Sequence, residues 1–143
     1  MTEKPTALRL AILISGAGSN MVAIAQACRD GHIPAQVAVV ISDQPAAGGI
    51  QRARDLGLPV AIVDAAAFRR EGSLNRSQFE AGLEAQIRAH GADLVILAGF
   101  MRVLSGEFVA RRPGRILNIH PSLLPLYPGL DTHSRVLAAG DRE

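Results

Sequence analysis

The stretch Leu8-Arg9-Leu10-Ala11-Ile12-Leu13-Ile14-Ser15-Gly16-Ala17-Gly18-Ser19-Asn20 decides how this chain folds. Its first seven positions are apolar apart from Arg9, with none of the polar alternation of a half-exposed strand, so they read as a strand covered on both faces. A glycine-rich turn follows, and then the Ala-rich amphipathic segment Asn20–Arg29, which reads as a helix. Four further runs read as buried strands: Val37–Ile41, Pro59–Val63, Asp93–Ala98 and Arg115–Ile119. The segments Gly48–Leu56, Arg76–His90 and Gly106–Arg111 between them read as helices, and Gly57 and Gly91 stand where a glycine closes a helix. Strand and helix alternate throughout. The pattern predicts an α/β fold: a doubly wound, mostly parallel open sheet with right-handed crossovers. No repeat or low-complexity linker interrupts the series, so residues 1–143 read as a single domain.

Composition removes several function classes. Of 143 residues, 48% are hydrophobic and 20% charged, as in an ordinary folded domain. With 15 Lys and Arg against 13 Asp and Glu, scattered rather than clustered, the net charge of +2 argues against nucleic acid as a partner. No apolar run reaches the roughly 18 residues of a membrane span. Residues 1–7 (MTEKPTA) lack the apolar core of a signal peptide, so a cytoplasmic protein is expected. The single cysteine, Cys28, excludes an internal disulfide framework. His32, His90 and His133 show no ligand spacing with it or with one another, so no metal site is expected.

Three segments carry chemistry. In Gly16–Asn20, two glycines allow a tight turn, and Ser19 and Asn20 place donors at a helix N-terminus, where an anion such as phosphate is attracted. The run is neither a Walker A loop nor a dinucleotide fingerprint, since Met21 occupies the third glycine position. Asp43, at the end of the second strand, keeps a ribose contact and hence a dinucleotide site open as an alternative, beside a bare glycine turn with no ligand. The second segment is Asn118-Ile119-His120, where the strand period puts Asn118 and His120 on one side and Ile119 on the other. An amide donor beside an imidazole suits a developing oxyanion and a proton transfer, or a purely structural hydrogen-bonded pair. The third is Gly99–Leu104, whose Phe100, Met101, Val103 and Leu104 offer an apolar wall. All three follow strand carboxyl ends, the edge where open α/β sheets bind ligands. Arg69, Arg70 and Arg76 read as a solvated face around a turn. Pro121–Asp131 reads as an ordered loop, and Thr132–Gly140 as a helix capped by Thr132 or Asp131.

ISGAGSN (Ile14–Asn20), LAGFMRVLS (Leu97–Ser105) and LNIHPSLLPLYPGLDTH (Leu117–His133) together resemble the folate-dependent glycinamide ribonucleotide formyltransferases of purine biosynthesis, from about Leu8 to the end of the chain. Related formyltransferases and deformylases share parts of the third motif, while the first favours the ribonucleotide enzyme over the one acting on methionyl-tRNA. The resemblance implies a Rossmann-like formyltransferase fold. In it, Gly18, Ser19 and Asn20 hold the substrate phosphate, and Met101, Arg102, Val103 and Leu104 line the folate site. Asn118 binds the formyl oxygen, and His120 acts as proton donor or charge stabiliser. An arginine near Arg70 would contact folate, although the spacing after Phe68 departs from the family. The implied co-substrate is 10-formyltetrahydrofolate, with no tightly bound cofactor and no metal. The implied partners are small molecules, and the implied assembly is a monomer or homodimer.

The family also pairs its histidine with an aspartate in an Asp-Gly-Gly loop. This sequence has no such motif, and neither Asp131 nor Asp141 matches that position. The resemblance therefore implies a chain lacking the C-terminal strands and last helix. The expectation is truncation of a longer enzyme rather than a naturally shortened one, with impaired transfer. The alternatives are a formyltetrahydrofolate deformylase and a non-catalytic Rossmann-like nucleotide-binding module.

Overall fold

The computed structural model describes residues 8–119. His120, the loop Pro121–Asp131 and the helix expected over Thr132–Gly140 lie outside the described residues, as do His133 and Asp141. In chain order the elements are β1 (Leu8–Ile14), α1 (Ser19–Arg29), β2 (Ala35–Ser42), α2 (Gly48–Asp55) and β3 (Val60–Ile62), followed by a 3₁₀ turn at Ala65–Phe68. Then come β4 (Arg69–Arg70), β5 (Ser73–Leu74), α3 (Arg76–Ala89), β6 (Leu94–Ala98), α4 (Gly106–Ala110) and β7 (Ile116–Ile119). The five main strands form one sheet in the order β3-β2-β1-β6-β7, with every pair parallel. The chain winds outward from β1 to β3, then returns to β6 on the other side of β1. The switch point of the fold is thus between β1 and β6. Among the described residues no helix is long and apolar enough to cross a membrane.

The unbroken apolar run of β1 has its cause in two core clusters, one on each face of the sheet. Leu10, Ile12 and Ile14 pack with Met21 and Ile24 of α1 and Ala53 of α2. Ala11 and Leu13 point the other way, into a cluster with Phe79, Leu83 and Ile87 of α3 and Phe108 of α4. The alternate residues of one strand serve two cores, as the pleat requires. Phe79, Leu83 and Ile87 recur at four-residue spacing and are each at most 1% exposed, which makes them the buried stripe of α3.

The sequence reading did not resolve residues 65–74. Asp64 accepts a hydrogen bond from the Ala66 N–H at 3.0 Å and so starts the 3₁₀ turn. Glu71 and Gly72, with φ of 54° and 81°, make the two-residue connection of the β4–β5 hairpin. Positive φ at both central positions is the turn whose twist matches antiparallel strands. Glu71 is not a residue that advertises it.

Glu84 joins α3 to the turn after α4. Its carboxylate accepts from both terminal nitrogens of Arg112, with Nη2 at 2.8 Å, and from Nε of Arg88 at 2.7 Å. The Arg112 guanidinium also lies 5.1 Å from the centre of the Phe108 ring. The hydrogen bonds from Arg112, helped by Arg88 and opposed by burial, hold the Glu84 carboxyl down from 4.5 to about 2. A depressed carboxyl stabilises the fold above its unfolded pKa, and that stability drains away as pH falls through the folded value. The window here runs from about 4.5 down to about 2. Screening at a partly open site limits the contribution to about 1–3 kcal/mol. Glu84→Gln is expected to lower stability by that amount at neutral pH and to flatten the acid limb in this window. Chemical denaturation at a series of pH values measures both; an unchanged acid limb would rule out the ion pair as its source.

Candidate active site at the switch point of the sheet

The glycine turn leaves β1 through Ser15 and enters α1 through Gly18, which takes a left-handed conformation at the N-cap (φ 79°, ψ 23°). Among the described residues no side chain caps α1, so the N–H groups of its first turn are not paired by a capping oxygen there. Such groups, with the helix dipole behind them, favour an anion. Ser19 is exposed and Asn20 half-buried at this end, while Met21 is fully buried beneath it.

The first turn of α2 supports the glycine turn from the side. The Gly49 N–H donates to the Gly16 carbonyl at 2.9 Å. The two backbones approach so closely that a Cβ on Gly18 would lie 2.9 Å from Gly49 Cα, and one on Gly49 would lie 2.5 Å from Ile14 Cδ1. In the sequence alone, Gly48-Gly49 reads only as the start of a helix. A pair of glycines where helix formers are favoured was the available signal that another backbone passes there.

The wall Gly99–Leu104 is fastened to the same turn. The Ser15 N–H donates to the Gly99 carbonyl at 3.2 Å, and the Met101 N–H donates to Ser15 Oγ at 2.8 Å. Ser15 thus joins the glycine turn to the wall, a role its place in the glycine motif does not reveal. Phe100 stacks on Phe79 with ring centres 6.5 Å apart and planes 5° apart, anchoring the wall in the core cluster of Leu13, Phe79 and Phe108. Met101 and Val103 remain 79% and 75% exposed. At the far end Ser105 caps α4, and both its N–H and Oγ donate to Glu80 of α3 at 2.6 Å.

A cleft of about 450 Å³ opens beside this wall, lined by Met101, Arg102, Val103 and Leu104 on one side and Asn118 on the other. Asn118 sits opposite Leu97 in the β6–β7 register and is exposed, whereas Ile119 turns into the core at 7% exposure. The structure therefore brings Asn118 together with Met101–Leu104 in one cleft, on the sheet edge that also carries Gly18, Ser19 and Asn20. Arg70 is elsewhere. It is exposed on the β4–β5 hairpin and does not line the cleft. Among the described residues no group of His, Cys, Asp and Glu side chains converges in a way that would hold a metal ion.

Asp43 corrects one expectation. It is 0% exposed, and its Oδ2 accepts from Arg102 Nε at 2.8 Å. A carboxylate sealed under the sheet edge and paired with an arginine is not presented to a ribose, so the dinucleotide reading loses its acidic residue. The same contact shows that Arg102 belongs partly to the scaffold, its guanidinium drawn toward β2.

Residues 8–143 match the family described as formyl transferase. The chain is 44% identical over 136 residues to the phosphoribosylglycinamide formyltransferase of Escherichia coli, covering 95% of this chain and 62% of that protein. It is 42% identical over 135 residues to the enzyme of the same name from Haemophilus influenzae, covering 94% and 61%. Among solved structures, glycinamide ribonucleotide transformylase 1 from Symbiobacterium toebii superposes with a TM-score of 0.73 at 46% identity, over 94% of this chain and 61% of that one. The phosphoribosylglycinamide formyltransferase of Brucella melitensis gives 0.73 at 42%, over 94% and 68%. The chain spans 61% and 62% of the length of the two curated bacterial relatives. A parallel sheet with the glycine turn and the wall Gly99–Leu104 at the β1–β6 switch point, together with a family match from Leu8 onward, has one reading: the chain belongs to the formyl transferase family.

Proposed function

We propose that this chain carries the substrate-binding edge of a phosphoribosylglycinamide formyltransferase, transferring the formyl group of 10-formyltetrahydrofolate to the glycinamide amine. The observation that carries the proposal is the fastening of an uncapped glycine turn to an apolar-walled cleft ending in Asn118. The relatives above, all named for this activity, support it. Gly18, Ser19 and Asn20 take the ribonucleotide phosphate on the helix N-terminus. Met101, Arg102, Val103 and Leu104 take the folate. Arg70, on the hairpin, is assigned a folate contact through the resemblance alone.

In the reaction the amine nitrogen bonds to the formyl carbon, and the carbonyl electrons move onto oxygen. The Asn118 amide donates to that oxyanion. A fixed donor of this kind contributes about 10²–10³-fold, because it is aimed at charge that exists only in the transition state. Collapse re-forms the carbonyl and breaks the bond to N10 of the folate, and the proton lost by the amine ends on N10. His120 is assigned the role of proton donor or charge stabiliser in that exchange. The products are the formylated ribonucleotide and tetrahydrofolate, with small molecules as the only partners required and no tightly bound cofactor.

The test uses the full-length protein with both substrates. The expected result is formylated ribonucleotide and tetrahydrofolate in equal amounts, with no turnover when the amine is omitted. Formate release without the amine would instead identify a deformylase. Binding of a nucleotide with no dependence on folate would identify a non-catalytic module.

A further inference from the structure

We propose that Asp43 is a positioning residue: through Arg102 it sets the wall Gly99–Leu104, and with it the affinity for the folate side of the reaction, while touching neither substrate. The inference rests on the formyl-transfer reading above. It starts from how firmly Asp43 is held. Its N–H donates to the Ile14 carbonyl at 3.3 Å, and its own carbonyl accepts from the Ala65 N–H at 3.1 Å. The side chain is therefore presented from a backbone locked on both sides. Oδ2 receives Arg102 Nε at 2.8 Å, whereas Oδ1 is buried with no hydrogen-bond partner among the described residues.

A carboxylate withdrawn from water with one oxygen unsatisfied is not what stability asks for, since an apolar side chain of similar size packs there at lower cost. The charge has to be explained by what it holds. Arg102 lies at the part of the wall with the fewest other restraints. The backbone groups of Arg102, Val103 and Leu104 make no hydrogen bond to another described residue, and the flanking Met101 and Val103 side chains are largely in solvent. Between the Ser15 contact at Met101 and the Glu80 contact at Ser105, the Arg102–Asp43 pair is the one side-chain hydrogen bond among the described residues, beside the apolar packing of Leu104 on the core. Asp43 also bonds to the residue preceding Ser15, so the wall is referred to the same strand end as the glycine turn. Because Asp43 lies under the edge and not in the cleft, its effect reaches a ligand through Arg102.

The test compares Asp43→Asn, which keeps an acceptor for Nε–H but removes the charge, with Asp43→Ala, which removes both, in the full-length protein. Expected is a rise in KM for formyl-folate of about 3–5-fold in the Asn variant and about 10-fold or more in the Ala variant, with KM for the ribonucleotide within about twofold. Amide hydrogen exchange should quicken about tenfold at Met101, whose N–H is held on Ser15 Oγ, and stay unchanged in α1. Adding Arg102→Met to Asp43→Ala should change the exchange rate at Met101 by less than about twofold more, since the two residues act as one unit in holding the wall. Equal weakening of both substrates, unchanged exchange at Met101, or additive effects of the two substitutions on that exchange would each overturn the proposal. If Asp43→Ala does not fold, the Asn variant alone decides by the same readouts. An unaltered protein that neither transfers formyl nor binds formyl-folate refutes the functional reading instead, and the exchange comparison still decides whether Asp43 holds the wall.

Discussion

Asn118→Ala is expected to lower kcat by about 10²–10³-fold while leaving the folded state intact. Asn118 is exposed at the open end of β7, and the packing of that strand is carried by its neighbours Ile116 and Ile119, which are 9% and 7% exposed. An exposed substitution away from the core changes stability by less than about 0.5 kcal/mol. The loss should fall on kcat and kcat/KM together with little change in either KM, the signature of an interaction made in the transition state. Asn118→Asp sharpens the test. It matches the shape but offers a negative acceptor where a donor is needed, so its loss should equal or exceed that of the alanine variant. Steady-state kinetics beside thermal melts measure the split, and a kcat within about threefold of wild type would remove Asn118 from the reaction.

Gly18→Val is expected to destabilise the fold by about 3–5 kcal/mol through two separate causes. The backbone at Gly18 has φ of +79°, a region that a β-branched residue enters only under strain. Its Cβ would also stand 2.9 Å from Gly49 Cα, a backbone atom unable to turn aside. Relief requires α1 and α2 to separate, which opens the cluster of Ile14, Met21 and Ala53 between the sheet and these helices. At this chain size the melting temperature should fall by on the order of 10 °C. Phosphate-ligand affinity should fall as well, because the same shift moves the N–H groups of α1. A variant that melts within about 2 °C of wild type would show that the two glycines are not in contact in solution.

Much of the fold was readable residue by residue. The predicted strand Leu8–Ile14 is β1, and the other four runs fall within a residue or two of β2, β3, β6 and β7. The four helices predicted within the described residues are present, with Leu56 and His90 as the caps that close α2 and α3 rather than members of them; the fifth, Thr132–Gly140, lies outside the described residues. These features are local. A buried parallel strand needs a short continuous apolar run, and a helix needs its apolar residues at three- and four-residue spacing. The hairpin at 69–74 escaped because its turn uses Glu71 at positive φ, where the usual signal is Asn or Gly.

The candidate site divides in the same way. The glycine turn, the apolar wall and Asn118 could be named from the sequence, because each is a motif at a strand end and the carboxyl edge of a parallel sheet is where such motifs meet. His120 was named with them, and lies outside the described residues. What joins these segments was not readable. Ser15 meets Met101 from 86 positions away and Asp43 meets Arg102 from 59, while Gly49 presses on Gly18 from a different helix.

By itself, then, the sequence determined the α/β alternation, the parallel sheet and the three segments that carry chemistry, since each depends on residues adjacent in the chain. Only the tertiary structure decided that β1 lies between β2 and β6, and hence that Asp43 is drawn under the sheet edge to Arg102 instead of facing a ligand. Strand order is a property of how the two cores close. No short-range pattern encodes which carboxylate will be buried beside which arginine.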